Sequence, residues 1–313
     1  MMFPFEGRTY VNGHRFLVVG RVGDNSLHAS WIADPSTPRT WDLQLNAYGT
    51  DESLIQNGDL PPVLDRGTKW DSLVRHFRSQ PELLDRYDYV MLPDDDLLMD
   101  VASINRMFEI VVENDLTMAQ PSLSYDSYLS HPIVLRCPQF RLRYTNFIES
   151  MSCCMKSSFL KRLLPMFEHH FTGWGTDLIW TMLMDDPAYK AAIVDEVSMT
   201  HTRPLMVGPI YKTFASQNTD PWKEIDQLRS SFENAPDAML IYGGILASGR
   251  VVSGPEARFR NGVALMRSFL RSKKRSNTVR FGAVSILRSA TRARYRPEQL
   301  RPVAGSRASL WFG

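Results

Sequence analysis

The sequence predicts an α/β fold, in which a mixed sheet is flanked by helices, followed by a basic, mostly helical C-terminal extension. Its 313 residues are 43% apolar and 22% charged, which is typical of soluble globular proteins. Strand-like and helix-like segments alternate through the first 200 residues, and this alternation favours a sheet with helices packed on it. Beyond Pro204 the alternation loosens and basic residues accumulate. We therefore predict two regions, residues 1–205 and residues 206–313.

The first predicted unit is a buried strand, a turn and a short helix. Residues 15–21 (RFLVVGR) have the continuous apolar character of a buried strand. Residues 23–26 then supply turn and N-cap chemistry for a short helix that carries Trp31. A second strand is predicted at residues 41–48, and the helical apolar spacing from Trp70 onwards predicts a helix over residues 69–77.

The middle of the chain continues the same alternation. A helix over residues 100–114 is predicted from its single apolar face and from Asp100 as its capping residue. The other predicted elements are strands at residues 87–92, 116–120, 146–155 and 191–201, a helix at 159–167 and a turn at 180–183.

The C-terminal region differs sharply in charge from the rest of the chain. From Arg250 onwards there are 15 Lys and Arg residues against two acids, whereas the other 249 residues hold 21 basic and 32 acidic side chains. Helices are predicted at residues 261–271 and 277–292. The second helix would carry Val279, Val284 and Leu287 opposite Arg280 and Arg288, a pattern typical of helices that lie on an anionic membrane surface. A docking helix with a solvated arginine face remains open. Nucleic acid is not expected as a partner.

Membrane-spanning, secreted and redox proteins are not indicated. No stretch approaches the roughly 18 apolar residues of a transmembrane helix, and the early apolar run at residues 16–20 is too short for a signal peptide. The expected localisation is therefore cytoplasmic, with peripheral association with a membrane. Cys137, Cys153 and Cys154 show no metal-ligand spacing and are expected to be small buried hydrophobic residues.

Three consecutive carboxylates follow the predicted strand at residues 87–92. Asp94, Asp95 and Asp96 stand where open α/β sheets bind ligands. Mutual repulsion makes such a run costly unless a cation or hydrogen-bond donors offset it, and Mg²⁺ or Mn²⁺ combines one or two carboxylates with phosphate oxygens. The run therefore indicates a metal-bound nucleotide diphosphate. The alternative is a solvated turn whose acids favour the N-terminus of the next helix.

Two later segments carry further candidate residues. Gly173-Trp174-Gly175-Thr176-Asp177 offers an aromatic ring on which a sugar can stack and a carboxylate that can act as a general base. Alternatively, Asp177 is an N-cap and Trp174 a core residue. The strand-like segment at residues 194–201 ends in His201, which is either a metal ligand or a structural histidine.

These segments together resemble a GT-A-type glycosyltransferase and, more closely, the DUF707 family. The family's segments read roughly YDYIFLWDEDL, QPAL, VEMMAP, WGLD and VVD with a later His. The corresponding segments here are YDYVMLPDDDL at 87–97, QPSL at 120–123, IESM at 148–151, WGTD at 174–177 and VDEVSMTH at 194–201. The resemblance covers residues 66–204 well. Asp95 replaces the usual Glu and Pro93 the usual Trp, but Asp94 and Asp96 still fill the outer positions of an Asp-x-Asp pattern.

The resemblance implies a GT-A-like, Rossmann-like nucleotide-diphospho-sugar transferase fold in residues 1–205, with the acceptor side at about 120–205. It implies Asp96 as a metal ligand, Asp94 as a ligand of the metal or the sugar, and His201 as the residue that completes a Mn²⁺ or Mg²⁺ site. Asp177 would be the catalytic base.

The remaining candidates line the substrate sites that the resemblance implies. The nucleotide-sugar residues are Val22, Gly23, Tyr48, which is available to stack on the base, Lys69, a donor to the phosphate or sugar, and Asp95. Glu149, whose role is open, Trp174 and Gly175 would lie on the acceptor side.

We therefore expect a metal-dependent glycosyltransferase that moves a sugar from a nucleotide-diphosphate sugar to an acceptor hydroxyl of a glycan or glycolipid, in glycan or polysaccharide synthesis. Inversion at the anomeric carbon is expected; a retaining reaction would need a nucleophile that the sequence does not locate. The alternative is a polyanion- or membrane-binding protein with a non-catalytic GT-A-like domain. Nucleotidyl or phosphoryl transfer ranks last, because a Gly-rich phosphate loop followed by Lys and Ser or Thr is absent.

Overall fold

The computed structural model describes residues 11–170, 172–205 and 219–312. In these residues we number thirteen strands and nine α-helices. The strands are β1 (Phe16–Val22), β2 (Trp41–Ala47), β3 (Val63–Leu64), β4 (Tyr89–Pro93), β5 (Leu97–Leu98), β6 (Met118–Leu123), β7 (Phe140–Thr145), β8 (Ser152–Lys156), β9 (Ala191–His201), β10 (Phe232–Glu233), β11 (Ile241–Leu246), β12 (Val251–Ser253) and β13 (Arg301–Pro302). The helices are α1 (Lys69–Ser79), α2 (Glu82–Arg86), α3 (Val101–Glu113), α4 (Ser157–Phe167), α5 (Thr176–Ile179), α6 (Pro221–Ser230), α7 (Gly254–Ser268), α8 (Arg275–Thr291) and α9 (Ala308–Trp311).

A mixed sheet forms the centre of the molecule, in the order β12-β11-β7-β9-β6-β8-β4-β1-β2-β3, with β5 paired to β9. Strand β1 is parallel to β2 and β4, and β6 is parallel to β9, while β8 is antiparallel to both β4 and β6. Strands β1, β2, β4, β6 and β9 therefore run in one direction. Their carboxyl ends share one edge of the sheet, which is where open α/β sheets bind ligands.

Hydrophobic cores cover both faces of the sheet. One core combines Trp31 and Trp41 with Phe108 of α3 and Leu265 of α7. The other packs Trp70 of α1 and the helices α2 and α4 against the opposite face. The predicted α/β class, with a mixed sheet flanked by helices, is confirmed, and the three cysteines are free and buried as predicted.

Most elements of the first 200 residues lie where the sequence predicts them, with two main differences. Strand β7 was not predicted, and the strand predicted at residues 146–155 is confirmed only from Ser152 onwards. Strand β7 ends at Thr145 and β8 begins at Ser152, so residues 146–151 form a connection at the ligand-binding edge of the sheet. The side chain of Asn146 fixes this connection, because it donates to Ala238 O at 2.9 Å and accepts from Leu240 N at 2.8 Å.

The C-terminal region adds strands as well as helices to the main structure. Strand β11 pairs with β7 across the predicted boundary at residue 205, and β12 extends the sheet beyond β11. Helix α7 packs on β11, and α8 packs on α7 with Thr278, Gly282 and Ser285 on its buried face. Among the described residues, no helix combines the length and the apolar character that crossing a membrane requires.

Candidate functional site

The acidic run lies directly after β4, and its three carboxylates have different partners. Asp95 is 5% exposed and holds the nearby loops together. Its Oδ2 accepts hydrogen bonds from Gly23 N and from the Tyr48 hydroxyl, both at 2.8 Å, and its Oδ1 pairs with Arg203 at 3.0 Å. Asp95 therefore fixes the loop after β1 and the end of β2 rather than standing free for a ligand.

Asp96 and His201 form the second contact of the run. His201 Nδ1 lies 2.6 Å from Tyr128 O, which can only accept, so Nδ1 carries a proton and Nε2 faces Asp96 Oδ2 at 3.2 Å. Asp96 Oδ1 is buried without a partner in the described structure. Burial by itself lowers the pKa of His201, but the hydrogen bond and charge of Asp96 outweigh it, and the net shift is upward.

This pair fits a divalent cation. A backbone carbonyl on the far imidazole nitrogen is the usual support of a metal-binding histidine. Adjacent ligands of an octahedral ion, each about 2.1 Å from it, are about 3.0 Å apart, close to the observed 3.2 Å. Within the described ranges, however, no group of three or more His, Cys, Asp or Glu residues could hold a metal. The described residues thus offer two ligands at this site, and phosphate oxygens and water would have to supply the others.

Asp94 does not join this pair. Its Oδ1 accepts a hydrogen bond from Lys69 Nζ at 2.6 Å, and its side chain is 40% exposed. Lys69 Nζ also donates to Leu92 O and Ser150 O, each at 2.7 Å, so its three N–H bonds are all used. The structure therefore does not support Lys69 as a donor to a phosphate or sugar. Its role is to position Asp94 beside the connection that contains Ser150.

Tyr48 and Gly23, both predicted to line the nucleotide site, are in close contact. A Cβ on Gly23 would lie 2.6 Å from the Tyr48 ring, so only glycine allows this close approach. Burial, followed by the charge of Asp95, raises the pKa of the half-buried Tyr48, which keeps its hydroxyl a donor. The side chain of Val22 packs in the hydrophobic core, and its carbonyl accepts from Tyr48 N, so Val22 contributes backbone only.

Asp177 lies in the first turn of α5, beside the connection between β7 and β8. Gly175 caps this helix with φ 85°, a left-handed conformation that favours glycine. Asp177 Oδ1 accepts a hydrogen bond from Ser150 N at 3.0 Å. Burial raises the pKa of Asp177 to about 7, against the lowering effects of the Ser150 N–H and the Lys69 charge. A carboxyl group that titrates near neutrality suits a general base.

Glu149 is the most isolated carboxyl group at this edge. Its side chain is buried, and both of its oxygens lack a partner in the described structure, while its main-chain N–H donates to Gln120 Oε1 at 2.6 Å. Burial, followed by the charge of Asp177, raises the pKa of Glu149 well above its ordinary value. The two neighbouring carboxyls therefore differ in environment, which is how paired acids acquire distinct roles.

An aromatic pair borders the predicted acceptor side. Trp174 makes an edge-to-face contact with Trp222 of α6 at 5.5 Å, and Trp222 is 66% exposed. Helix α6 is tied to this loop because Glu224 Oε2 accepts from both Thr172 N (2.9 Å) and Thr172 Oγ1 (2.6 Å). The loop and the helix thus present two indole rings together.

The sequence analysis missed three residues of this region. Arg203, two positions after His201, pairs with Asp95 and donates to Asn25 O at 2.6 Å. Tyr128 supports His201 through its carbonyl, and Trp222 lies beyond the segments that carry the family resemblance. A basic residue two positions after the candidate histidine was a signal for Arg203. A main-chain role such as that of Tyr128 leaves no signal in the side chains.

Comparison with known proteins gives a family and weak structural likenesses. No curated protein matches the chain. The structure of S. aureus TarS aligns at 11% identity with a TM-score of 0.40, covering 88% of this chain and 54% of that one, so the chain spans about half its length. Structures of TarS 1-349 in complex with UDP-GlcNAc and with UDP align at 10% identity, with TM-scores of 0.39 and 0.42, covering 93% of this chain and 98% of those chains. The model for "Protein of unknown function (DUF707)" matches residues 63–236, more than half of the chain. The match spans the acidic run, Glu149, Asp177 and His201, and the chain belongs to the DUF707 family.

Proposed function

We propose that this protein is a metal-dependent glycosyltransferase of GT-A type that transfers a sugar from a nucleotide-diphosphate sugar to an acceptor hydroxyl, with inversion. The observation that carries the proposal is the Asp96–His201 pair, with His201 Nδ1–H on Tyr128 O and Asp96 Oδ1 buried without a partner in the described structure. Its position at the carboxyl ends of parallel strands, beside the loop held by Asp95, supports a diphosphate ligand.

Asp96 and His201 would hold a Mn²⁺ or Mg²⁺ ion, which when bound offsets the charge of the leaving nucleoside diphosphate. Asp94 is partly exposed and has its charge offset by Lys69, which suits contact with the sugar or ribose hydroxyls. The loop after β1, which contains Gly23, and Tyr48 at the end of β2 would lie against the nucleoside.

Residues of this chain would bind the acceptor and activate its hydroxyl group. An acceptor hydroxyl attacks the anomeric carbon, the bond from that carbon to the diphosphate oxygen breaks, and the hydroxyl proton passes to Asp177. Its pKa of about 7 leaves Asp177 able to take that proton near neutral pH. Burial and the charge of Asp177 raise the pKa of Glu149, which would give this carboxyl group a role distinct from that of Asp177. Trp174 and Trp222 offer ring faces to a sugar.

The proposal is tested by titrating UDP, GDP, CDP and ADP into the protein with and without Mn²⁺ in a calorimeter. At least one diphosphate should bind in Mn²⁺ and not in EDTA. Asp96→Asn should abolish this dependence with the fold intact, because it removes a charged ligand rather than core packing. The matched control is Asp126→Asn, an exposed aspartate in the loop after β6. A nucleotide affinity unchanged by Asp96→Asn, or no binding by the wild type, contradicts the proposal and favours a non-catalytic binding protein.

We also propose that the enzyme works while bound to an anionic membrane surface. The supporting observation is an exposed apolar strip on α7: Phe259 and Met266, seven residues apart on one helix face, are 50% and 40% exposed, and Leu270 in the following turn is 63% exposed. Arg267 and Arg271 flank the strip. The expected insertion of Val279 and Val284 is not supported, since both are half-buried, whereas Leu287 is 64% exposed.

Sedimentation with phosphatidylglycerol vesicles tests this surface. The double variant Phe259→Glu and Leu270→Glu should lose vesicle binding, because it replaces apolar insertion with charge repulsion. Leu310→Glu, at an 82% exposed leucine on α9, is the matched control and should bind like the wild type. Wild-type protein that stays in solution at low salt, or equal binding by all three proteins, rules out this surface.

A further inference from the structure

A basic turn between α7 and α8 lies against the candidate site. We define it by its four cationic residues, Arg271, Lys273, Lys274 and Arg275. Arg271, Lys273 and Arg275 are exposed and Lys274 is half-buried. In the described part of the chain, no acidic group forms a salt bridge with any of the four, whereas other arginines of this region do, such as Arg292 with Asp237.

The turn has a fixed structure. Ser272 is 2% exposed, and its hydroxyl contacts Thr278 Oγ1 at 2.9 Å and accepts from Lys274 N at 3.1 Å. Thr278 N in turn donates to Lys274 O at 2.9 Å. The four cationic residues are therefore carried by an ordered stretch of backbone.

The contacts of the turn place it beside the metal-ligand pair. Lys273 Nζ lies 3.7 Å from the centre of the Tyr128 ring, and Arg271 lies over the ring of Tyr125 at 5.1 Å. Tyr128 is the residue whose carbonyl binds His201 Nδ1, and its N–H donates to His201 O at 3.0 Å. The side chain of Lys273 is thus separated from His201 by a single residue.

The turn lies on the acceptor half of the sheet edge. Tyr125 and Tyr128 follow β6, whereas the loop proposed to contact the nucleoside follows β1 and is held by Asp95 and Arg203. The charge of Lys274 acts on the buried Glu149, which neighbours Asp177. Lys273 therefore borders the site at Tyr128, and Lys274 lies near enough to Glu149 for its charge to act on that side chain.

We propose that the basic turn binds a phosphate group carried by the acceptor, so that the acceptor is an anionic, phosphate-bearing molecule. Lys273 and Lys274 would donate to its oxygens, and Arg271 and Arg275 would add charge from the rim. The inference rests on the proposed function, because an acceptor exists only if the protein is a transferase. The same phosphate chemistry has a second source in lipid headgroups, since the exposed strip on α7 adjoins the turn.

The experiment uses the full-length chain and inorganic tripolyphosphate in EDTA as the probe, so that no metal-bound site contributes. Binding is measured by calorimetry and thermal stabilisation. Wild-type protein should bind the probe. The double variant Lys273→Glu and Lys274→Glu should lose at least about tenfold in affinity for it, as expected when contacts to charged groups are lost. Lys273→Arg with Lys274→Arg should retain binding. The control, Arg294→Glu with Arg296→Glu, reverses two exposed charges beyond the far end of α8, roughly 25 Å from the turn at 1.5 Å per residue.

Two further measurements distinguish an acceptor phosphate from the donor diphosphate and from lipid headgroups. In Mn²⁺ without tripolyphosphate, a nucleoside diphosphate should bind the charge-reversed variant as it binds the wild type. Loss of nucleoside diphosphate binding in this variant would assign the turn to the donor diphosphate and overturn the proposal. Vesicle binding that depends on Lys273 and Lys274, without binding of tripolyphosphate, would assign it to lipid headgroups and also overturn it.

The remaining outcomes are equally decisive. No binding of tripolyphosphate to wild type, or equal loss in the Arg294 and Arg296 control, contradicts the anion site. A wild-type protein that binds tripolyphosphate in EDTA but no nucleoside diphosphate in Mn²⁺ keeps the anion site and removes the proposed function, so the two failures are distinguishable.

Discussion

Asp177 and Glu149 neighbour each other at the sheet edge and differ in their partners. Asp177 accepts the Ser150 N–H, whereas both oxygens of Glu149 are buried without a partner in the described structure. Burial raises the pKa of both side chains, to about 7 for Asp177 and well above the ordinary value for Glu149. We therefore expect Asp177 to change protonation near pH 7, whereas the pKa of Glu149 is shifted upward from its ordinary value.

Replacing Asp177 with asparagine should lower turnover by about 10²- to 10⁴-fold, the usual contribution of a positioned base, with donor binding retained. Wild-type activity should rise with pH through about 7, because only the ionised carboxylate accepts the proton. The activity of the variant should not show this rise. Initial rates measured from about pH 5.5 to about pH 9 check both points, since this range brackets the pKa.

Stability supplies the control for this variant. Because the folded-state pKa of Asp177 is raised, its ionisation disfavours the folded state; the cost is absent below the unfolded pKa of about 4 and complete above a pH of about 7. The Asp177→Asn variant avoids this cost, so it should melt no lower than wild type at a pH of about 8. A lower melting temperature together with lost donor binding would identify Asp177 as a structural capping residue.

Individual site residues were predictable from the sequence to different degrees. Asp96 and His201 were candidates from the acidic run and the strand-end histidine, and only the family resemblance implied that they share a metal site; their side chains lie 3.2 Å apart. The suitability of Lys69 as a ligand donor depends on how many acceptors already surround it, which a sequence pattern does not reveal. The carbonyl oxygens of Leu92 and Ser150 that occupy it come from distant parts of the chain.

At the level of elements, α6 completes the predicted acceptor side. It begins after Asp220, whose side chain accepts from Trp222 N at 3.0 Å, and it packs Ile225 against Gly175. A Cβ at Gly175 would lie 3.1 Å from Ile225. The helix therefore places the exposed Trp222 beside Trp174, in the loop that leads into the helix of Asp177.

Trp222→Ala should weaken acceptor binding by about 2- to 10-fold, the range of one aromatic contact, and leave kcat and donor affinity unchanged. Transfer to a panel of methyl glycosides, with KM and kcat determined separately, provides the measurement. The acceptor affinity of Trp222→Phe should lie between those of the wild type and Trp222→Ala. If KM stays constant while kcat drops, Trp222 is not part of an acceptor platform.

Strand β7 shows why one element escaped sequence analysis. Its sequence FRLRYT has charged residues within a central strand, but Arg143 is 0% exposed and its guanidinium pairs with Asp195 of β9 at 2.7 Å. It also donates to Asn261 of α7 at 2.5 Å. A buried ion pair between segments 52 positions apart makes a core strand look polar, and hydrophobic periodicity has no means of detecting it.

The whole molecule combines an acidic and a basic region in one sheet. The net charge of the sequence changes sign after residue 249, but the fold does not divide there. Strands β11 and β12 continue the sheet from β7 across the predicted boundary, and α7 buries Ala257 and Leu265 in the core. The basic residues concentrate on the α7–α8 layer, where the turn of Arg271 to Arg275 reaches Tyr125 and Tyr128. Composition identified the charge division but not its position next to the site.

Crystals grown with MnCl₂ and the nucleoside diphosphate that binds best would test the proposed metal site most directly. Anomalous difference maps should contain a manganese peak within bonding distance of Asp96 and His201 Nε2, with diphosphate oxygens completing its coordination. Asp96→Asn crystals should lack the peak. A manganese ion bound elsewhere, or a diphosphate bound away from this pair, would contradict the assignment of Asp96 and His201 as the metal ligands.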